Sequence, residues 1–127
     1  MAATCEWREH DGVRYLFLCP AGSGREQLAE LVRDLSVLLR EEPPGLVRLL
    51  IDLRPLGRYV PAPGELAEYK RIQHGLLQTH TLRAGLVGVT GLNAAVMRGM
   101  SAMSGRITLL GVPTLERGIE FVARDAH

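Results

Sequence analysis

Leu46-Val-Arg-Leu-Leu-Ile-Asp-Leu-Arg54 is the clearest strand in this chain, and it determines how the rest must fold. Its apolar run is nearly continuous, which is typical of a β-strand covered on both faces. Shorter strand-like runs lie at residues 13–18, 84–89 and 107–110, and helical patterns separate them. This alternation predicts a parallel sheet sandwiched by helices, with the loops at the strand carboxyl ends as the natural place for a site.

Apolar residues at helical spacing predict four helices along the chain. They cover residues 25–40, about 64–80, 92–103 and 115–124. His10-Asp-Gly12 is a signal for a tight turn, so a short strand before it should form an N-terminal β-hairpin with residues 13–18. We therefore predict one α/β domain over residues 1–127: a mainly parallel sheet with an N-terminal β-hairpin and four helices, placed on both faces by right-handed crossovers.

Size and charge exclude several classes of protein. A chain of 127 residues is expected to form one domain, and its formal net charge of +1 includes no basic stripe that would favour nucleic acid. The apolar stretches are shorter than the roughly 18–20 residues that a membrane span needs. The N-terminal segment lacks the apolar core of a signal peptide. We therefore expect a cytoplasmic protein with no membrane span and no nucleic-acid partner.

Residue types suited to metal, redox or hydrolytic chemistry are scattered along the chain. Cys5 and Cys19 form no Cys-x-x-Cys pair, and we expect reduced thiols, with a disulfide between them as the alternative. The four histidines lack metal-ligand spacing, and no serine stands in a G-x-S-x-G turn. We therefore expect no metal, no cofactor and no enzymatic activity. An enzyme on the same scaffold is the third hypothesis, with Asp52 and Arg54 as its starting point.

The first candidate site follows the central strand, where Asp52, Arg54, Arg58 and Tyr59 come close together in sequence. A carboxylate and two guanidinium groups in a crevice would bind a polar ligand, because arginine forks suit carboxylate or phosphate. The alternative is structural, with Asp52 capping a loop or pairing with an arginine. No second carboxylate stands beside Asp52 in sequence, so an acid/base pair is not predicted there.

The second candidate site is the strand–turn–helix junction Val87-Gly-Val-Thr-Gly-Leu-Asn93. Thr90 or Gly91 would cap the helix and leave backbone N–H groups pointing outward, so Thr90 and Asn93 would line an anion site. Simple capping explains the same residue types. The junction would lie beside the Asp52 loop if the two strands are neighbours. Met97 lies off the apolar stripe of the 92–103 helix, which would leave soft apolar surface for a ligand or partner helix.

The order of elements and two motifs resemble a known family. The strand ending Leu50-Ile-Asp-Leu53 and the segment Gly88-Val-Thr-Gly-Leu-Asn-Ala-Ala-Val-Met-Arg-Gly-Met-Ser-Ala-Met-Ser-Gly-Arg106 are similar to those of the STAS-like (SpoIIAA-like) small bacterial proteins. Family members of the anti-sigma-factor antagonist type carry a phosphorylated serine after the central strand. Residues 52–64 of this chain contain neither serine nor threonine, so the resemblance does not extend to a phosphoserine switch.

The resemblance implies a non-catalytic α/β module that binds proteins or small ligands. Our leading hypothesis is a regulatory or protein-interaction module whose contact surface combines the Arg54–Tyr59 loop with the 92–103 helix. The alternative is a small-ligand or lipid-binding protein, with an apolar or anionic ligand between the Asp52 and Thr90 loops. A homodimer is expected through the 92–103 helix or the edge strand of the hairpin.

Overall fold

The computed structural model describes residues 4–20, 25–56, 67, 71, 74–75, 78–88 and 107–124. These residues form an α/β structure in which five strands build one sheet. The strands are β1 (Thr4–His10), β2 (Val13–Cys19), β3 (Gly45–Asp52), β4 (His80–Val87) and β5 (Ile107–Val112). Helices α1 (Arg25–Glu41) and α2 (Leu115–Ala123) have described bounds, and a 3₁₀ turn covers Arg54–Leu56.

The strands lie in the sheet in their chain order, so β3 is the central strand. β1 and β2 pair antiparallel, whereas β2–β3, β3–β4 and β4–β5 are parallel. Asp11 (φ 50°) and Gly12 (φ 81°) form the two-residue turn between β1 and β2. Positive φ at both central residues is what the favoured hairpin turn requires. The predicted α/β class, N-terminal hairpin and mainly parallel sheet are therefore confirmed.

The predicted boundary between the 64–80 helix and the following strand is wrong. β4 begins at His80 rather than at Ala84. His80 is buried, and its ring Nε2 donates a hydrogen bond to the carbonyl oxygen of Glu42 at 3.1 Å. Its Nδ1 lies 2.8 Å from the Thr79 hydroxyl oxygen. This bond to the segment after α1 anchors His80 at the start of the strand, and no local pattern in the sequence indicates it.

The other predicted elements differ less, or fall on residues that the structure leaves undescribed. Of the predicted 64–80 helix, residues 67, 71 and 74–75 are helical, and the predicted 92–103 helix lies outside the described residues. The last strand extends to Val112 instead of residue 110, and α2 ends at Ala123 instead of residue 124. The structure therefore gives the bounds of two of the four predicted helices within its described part.

Each face of the sheet carries its own apolar cluster, as the continuous apolar run of β3 predicts. Neighbouring residues Leu49 and Leu50 point to opposite faces, and both are buried. The α1-side cluster consists of Leu16, Leu18, Leu31, Leu39, Val47, Leu49, Leu82 and Ala84. The α2-side cluster consists of Tyr15, Phe17, Leu50, Val87, Val112, Phe121 and Val122. Helices therefore cover both faces, as expected.

Both ends of α2 are closed by side chains. At its start, the Thr114 hydroxyl accepts a hydrogen bond from the Arg117 backbone N–H at 3.2 Å. At its end, Arg48 on β3 donates from Nη1 to the carbonyl oxygens of Val122 and Arg124, each at 2.6 Å. Carbonyl groups at a helix end have no partner inside the helix. A positive charge near them also interacts favourably with the negative end of the helix dipole. The arginine therefore ties the end of α2 to the sheet.

The closest approach of α2 to the sheet is made at Gly118. A Cβ atom built there would lie 2.5 Å from Cδ1 of Leu50 and 3.3 Å from Cγ2 of Val112. Gly85 on β4 faces the same contact, because its Cβ position lies 3.5 Å from the Gly118 carbonyl oxygen. Two glycines thus let the helix backbone rest directly on the centre of the sheet.

We expect Gly118→Ala to lower the free energy of unfolding by about 1–3 kcal/mol, because the added methyl group overpacks the α2-side cluster. This effect opposes the higher helix propensity of alanine. Urea denaturation of both proteins measures the difference. Gly75→Ala is the matched control, since Gly75 is also helical and nothing lies within 4 Å of its added Cβ. Equal stability of the two variants would contradict the close approach.

Candidate functional site

The carboxyl ends of β3, β4 and β5 are joined by backbone hydrogen bonds. Asp52, the last residue of β3, lies opposite Val87, the last residue of β4. The Leu53 N–H donates to the Val87 carbonyl oxygen at 2.9 Å, and the Gly88 N–H donates to the Val112 carbonyl oxygen at 3.1 Å. The strands that precede the two predicted sites are therefore neighbours, as the prediction required. This end of the sheet is the candidate site of the parallel architecture.

Asp52 and Arg54 form a forked ion pair at this end. Arg54 donates from Nε to Oδ1 of Asp52 at 2.9 Å and from Nη2 to Oδ2 at 2.8 Å. The Arg54 backbone N–H donates to Oδ1 as well, at 3.1 Å. The Asp52 side chain is only 9% exposed, whereas that of Arg54 is 54% exposed. The structural role considered from sequence is therefore observed in both its forms, because Asp52 pairs with an arginine and also accepts a backbone N–H of the segment after the strand.

The pair fixes the charge of its carboxyl group. Side-chain hydrogen bonds from Arg54 hold the pKa of Asp52 below its usual range, against the opposing effect of burial. The hydrogen bonds and charge of Asp52 raise the pKa of Arg54 in turn. Asp52 is therefore ionised at neutral pH, and its lone pairs already accept three donors.

Gly88 is a part of this site that sequence reasoning missed. Its φ is +89°, and a Cβ at this position would lie 2.8 Å from Cγ of Arg54 and 3.3 Å from the Arg54 backbone nitrogen. Only glycine combines that backbone conformation with so close a neighbour. Gly88 therefore leaves the room in which the Arg54 side chain turns back to Asp52. A glycine directly after an apolar strand was the available signal.

Cys19 ends β2 at the same end of the sheet. Its thiol packs beside the α2-side cluster, whereas Cys5 packs beside the α1-side cluster, and both are free. The alternative of a disulfide between them is therefore wrong, because they lie on opposite faces. Burial raises the pKa of the Cys19 thiol, and the Asp52 carboxylate raises it further. Both effects favour the protonated thiol, which is a weaker nucleophile than the thiolate.

The remaining predicted site residues lie outside the described part of the chain. These are Arg58, Tyr59, Thr90, Asn93 and Met97. In sequence, Arg58 comes two residues after the end of the 3₁₀ turn, and Thr90 comes two residues after Gly88. Their convergence with Asp52 and Arg54 stays a prediction.

Other features that could mark a site are few among the described residues. No group of three His, Cys, Asp or Glu residues in the described ranges is arranged to hold a metal ion. Among the described helices, none combines the length and apolar character needed to cross a membrane. A shallow depression of about 330 Å³ lies between the hairpin turn and the end of α2, lined by His10, Asp11, Glu120, Ala123 and Arg124.

Comparison with known proteins gives no relative. No protein-family model, curated protein or solved structure matches this chain. The described structure by itself defines an α/β protein with a five-stranded, mostly parallel sheet. An ion pair lies at the carboxyl end of its central strand.

We expect Asp52→Asn to lower the free energy of unfolding at neutral pH by about 1–2 kcal/mol, because the neutral amide cannot accept charge-assisted hydrogen bonds from Arg54. The effect is limited because solvent screens the charge of the exposed arginine. The pKa of Asp52 is lower in the folded than in the unfolded protein. Its stabilising effect is therefore full above the unfolded pKa of about 3.9 and disappears as pH falls through the folded pKa.

Urea denaturation across this pH range measures the difference between wild type and Asp52→Asn. The difference should be constant near neutral pH and should close below about pH 4. Asp34→Asn, on the exposed side of α1, is the matched control and should follow the wild type throughout. A difference that is independent of pH would contradict a stabilising ionised Asp52.

Proposed function

We propose that this protein is a non-catalytic, STAS-like regulatory or protein-interaction module that acts without a phosphoserine switch. The observation that carries the proposal is the forked pair of Asp52 and Arg54. It occupies the place where an α/β protein of this kind holds its functional groups. In the described part of this end of the sheet, the pair presents the partly exposed Arg54 side chain, and the Asp52 carboxylate beside it is already hydrogen-bonded.

The state of Asp52 argues for binding rather than catalysis. A general base needs a pKa near the working pH and a free lone pair facing its substrate. The pKa of Asp52 is lowered, and its oxygens accept three hydrogen bonds from Arg54. The thiol of Cys19, a residue type that can act as a nucleophile, has a raised pKa. Neither group is suited to start a reaction at neutral pH.

The state of Arg54 supports a contact surface. Its guanidinium is bonded to Asp52 through two nitrogens, and the Arg54 side chain as a whole is still more than half exposed. Arginine is enriched in protein interfaces, and a side chain that is already ordered loses little entropy on binding. The Arg58–Tyr59 segment begins four residues later in sequence and adds a second arginine and an aromatic group. The proposed partner surface thus extends from Arg54 to Tyr59 and on to Met97.

The absence of serine and threonine from 52–64 separates this proposal from the switched members of the family it resembles. A phosphoryl group has no serine or threonine acceptor in that segment. Regulation would then depend on the abundance of the partner or on its competition with another protein.

An anionic ligand is the second candidate at the same surface. The exposed, oriented guanidinium of Arg54 also suits a carboxylate or a phosphate. A native mass spectrum of freshly purified protein separates the two candidates. Extra mass that is lost on denaturation would favour the ligand-binding protein. Clean protein mass would favour the interaction module.

We expect the triple variant Arg58→Ala, Tyr59→Ala, Met97→Ala to lose partner binding and to keep its fold. Tagged wild type and variant, used as bait in extract of the source cells, measure capture of the same protein band. Arg33→Ala, Arg40→Ala on the exposed side of α1 is the matched control and should capture the partner normally. Circular dichroism checks the fold of each bait. Equal capture by wild type and the triple variant would contradict the proposed surface.

A further inference from the structure

The outer edge of β1 has backbone groups that no other described strand pairs with. Among the strands that the structure describes, β1 is the last one on its side of the sheet. His10 and Val13 flank the two-residue turn, so they form a hydrogen-bonded pair, and such pairs alternate along the hairpin. Every second residue thus directs its backbone groups to β2, and Cys5, Trp7 and Glu9 direct theirs outward. An edge of this kind is a template for another strand.

The side chains on this edge carry opposite charges at positions two apart. Glu6 and Arg8 lie on the same face of β1, and their side chains are 53% and 38% exposed. Within one chain, Arg8 donates from Nη2 to Oε1 of Glu6 at 2.6 Å and from Nε at 2.9 Å. The Arg8 guanidinium also lies over the Phe17 ring, 3.8 Å from its centroid. Arg8 is therefore held between Glu6 and Phe17, with 38% of its side chain exposed to solvent.

We propose that two copies of this chain pair through β1, antiparallel, about a two-fold axis that passes beside Trp7. In this register Trp7 lies opposite Trp7 of the second copy, and Cys5 lies opposite Glu9. All of these residues direct backbone groups outward, so they form hydrogen-bonded pairs. Glu6 then lies opposite Arg8 of the second copy, in the non-hydrogen-bonded pairs where side chains approach most closely. The two sheets become one.

Charge complementarity selects both the occupant and the register. In the segment Glu6-Trp7-Arg8, each glutamate faces an arginine of the second copy only when the two-fold axis passes beside Trp7. A shift of the axis to Glu6 or to Arg8 brings like charges face to face, which is unfavourable. A two-fold contact of this isologous kind also closes on itself, so it stops at a dimer. The occupant that fits this edge is therefore a second copy.

The same charges would have a different role if β1 stayed unpaired. Charged residues on an edge strand commonly prevent association, and the bond between Glu6 and Arg8 exists within one chain. A double charge exchange in one chain restores the internal pair and the intermolecular pairs alike, so it cannot separate these roles. Mixing two single variants can, because only the dimer brings their charges together.

The test uses the full chain in three samples: Glu6→Arg, Arg8→Glu, and an equimolar mixture of the two. Native mass spectrometry and sedimentation equilibrium measure association over a range of concentrations. The wild type should dimerise, and each single variant should dimerise at least tenfold more weakly because like charges meet. The mixture should form a heterodimer as strong as the wild-type dimer, since each arginine then faces a glutamate. Glu30→Arg and Arg33→Glu on α1 are the charge-matched controls and should dimerise normally.

A second measurement on the wild type needs no variant. Backbone amides of Cys5, Trp7 and Glu9 should exchange with deuterium more slowly as protein concentration rises, while those of Glu6 and Arg8 should not change. Trp7 is the only tryptophan in the chain, so its fluorescence reports the same event. Wild type that stays monomeric at all concentrations, a mixture that stays monomeric, or amide protection elsewhere in the chain would each overturn the proposal.

Discussion

Burial of the central strand β3 on both faces is the constraint on which the rest of the structure depends. Leu49 and Leu50 point to opposite sides and are almost completely buried, so each face needs its own cover. Burial of one such side chain stabilises the folded state by about 1.5–3 kcal/mol. The helix on one side comes so close that a Cβ atom at position 118 would lie 2.5 Å from Cδ1 of Leu50. Two-sided burial thus fixes both the layers and their spacing.

The same constraint produces the candidate site. A central strand with neighbours on both sides brings several strand ends together, and the bonds from Leu53 to Val87 and from Gly88 to Val112 hold them in line. Asp52 is nearly buried at the carboxyl end of β3, and a buried carboxylate needs hydrogen-bond partners. Arg54 supplies them, and its own exposed side becomes the surface that the protein presents. The ion pair therefore links the packing of the core to the proposed contact surface.

Arginine side chains cover three aromatic rings at the periphery of the apolar core. Arg8 lies over Phe17 and Arg14 over Trp7, where the hairpin leaves aromatic rings near solvent. Arg83 stacks on Phe121 at the far side, 4.0 Å from the ring centroid, and donates to its carbonyl oxygen. A guanidinium can cover an aromatic face and still donate hydrogen bonds outward. The charged groups therefore complete the apolar core as well as forming the surface.

The sequence by itself determined the α/β class, the hairpin, the mostly parallel sheet and the two-sided burial of β3, because these follow from periodicity and turn chemistry. It also indicated Asp52 and Arg54 as one site, because they are neighbours in sequence and follow a buried strand. Tertiary structure decided the rest. The start of β4 at His80 depends on a bond to Glu42, and the pairing of Asp52 depends on the space that Gly88 leaves. Such contacts join residues distant along the chain, and no local pattern encodes them.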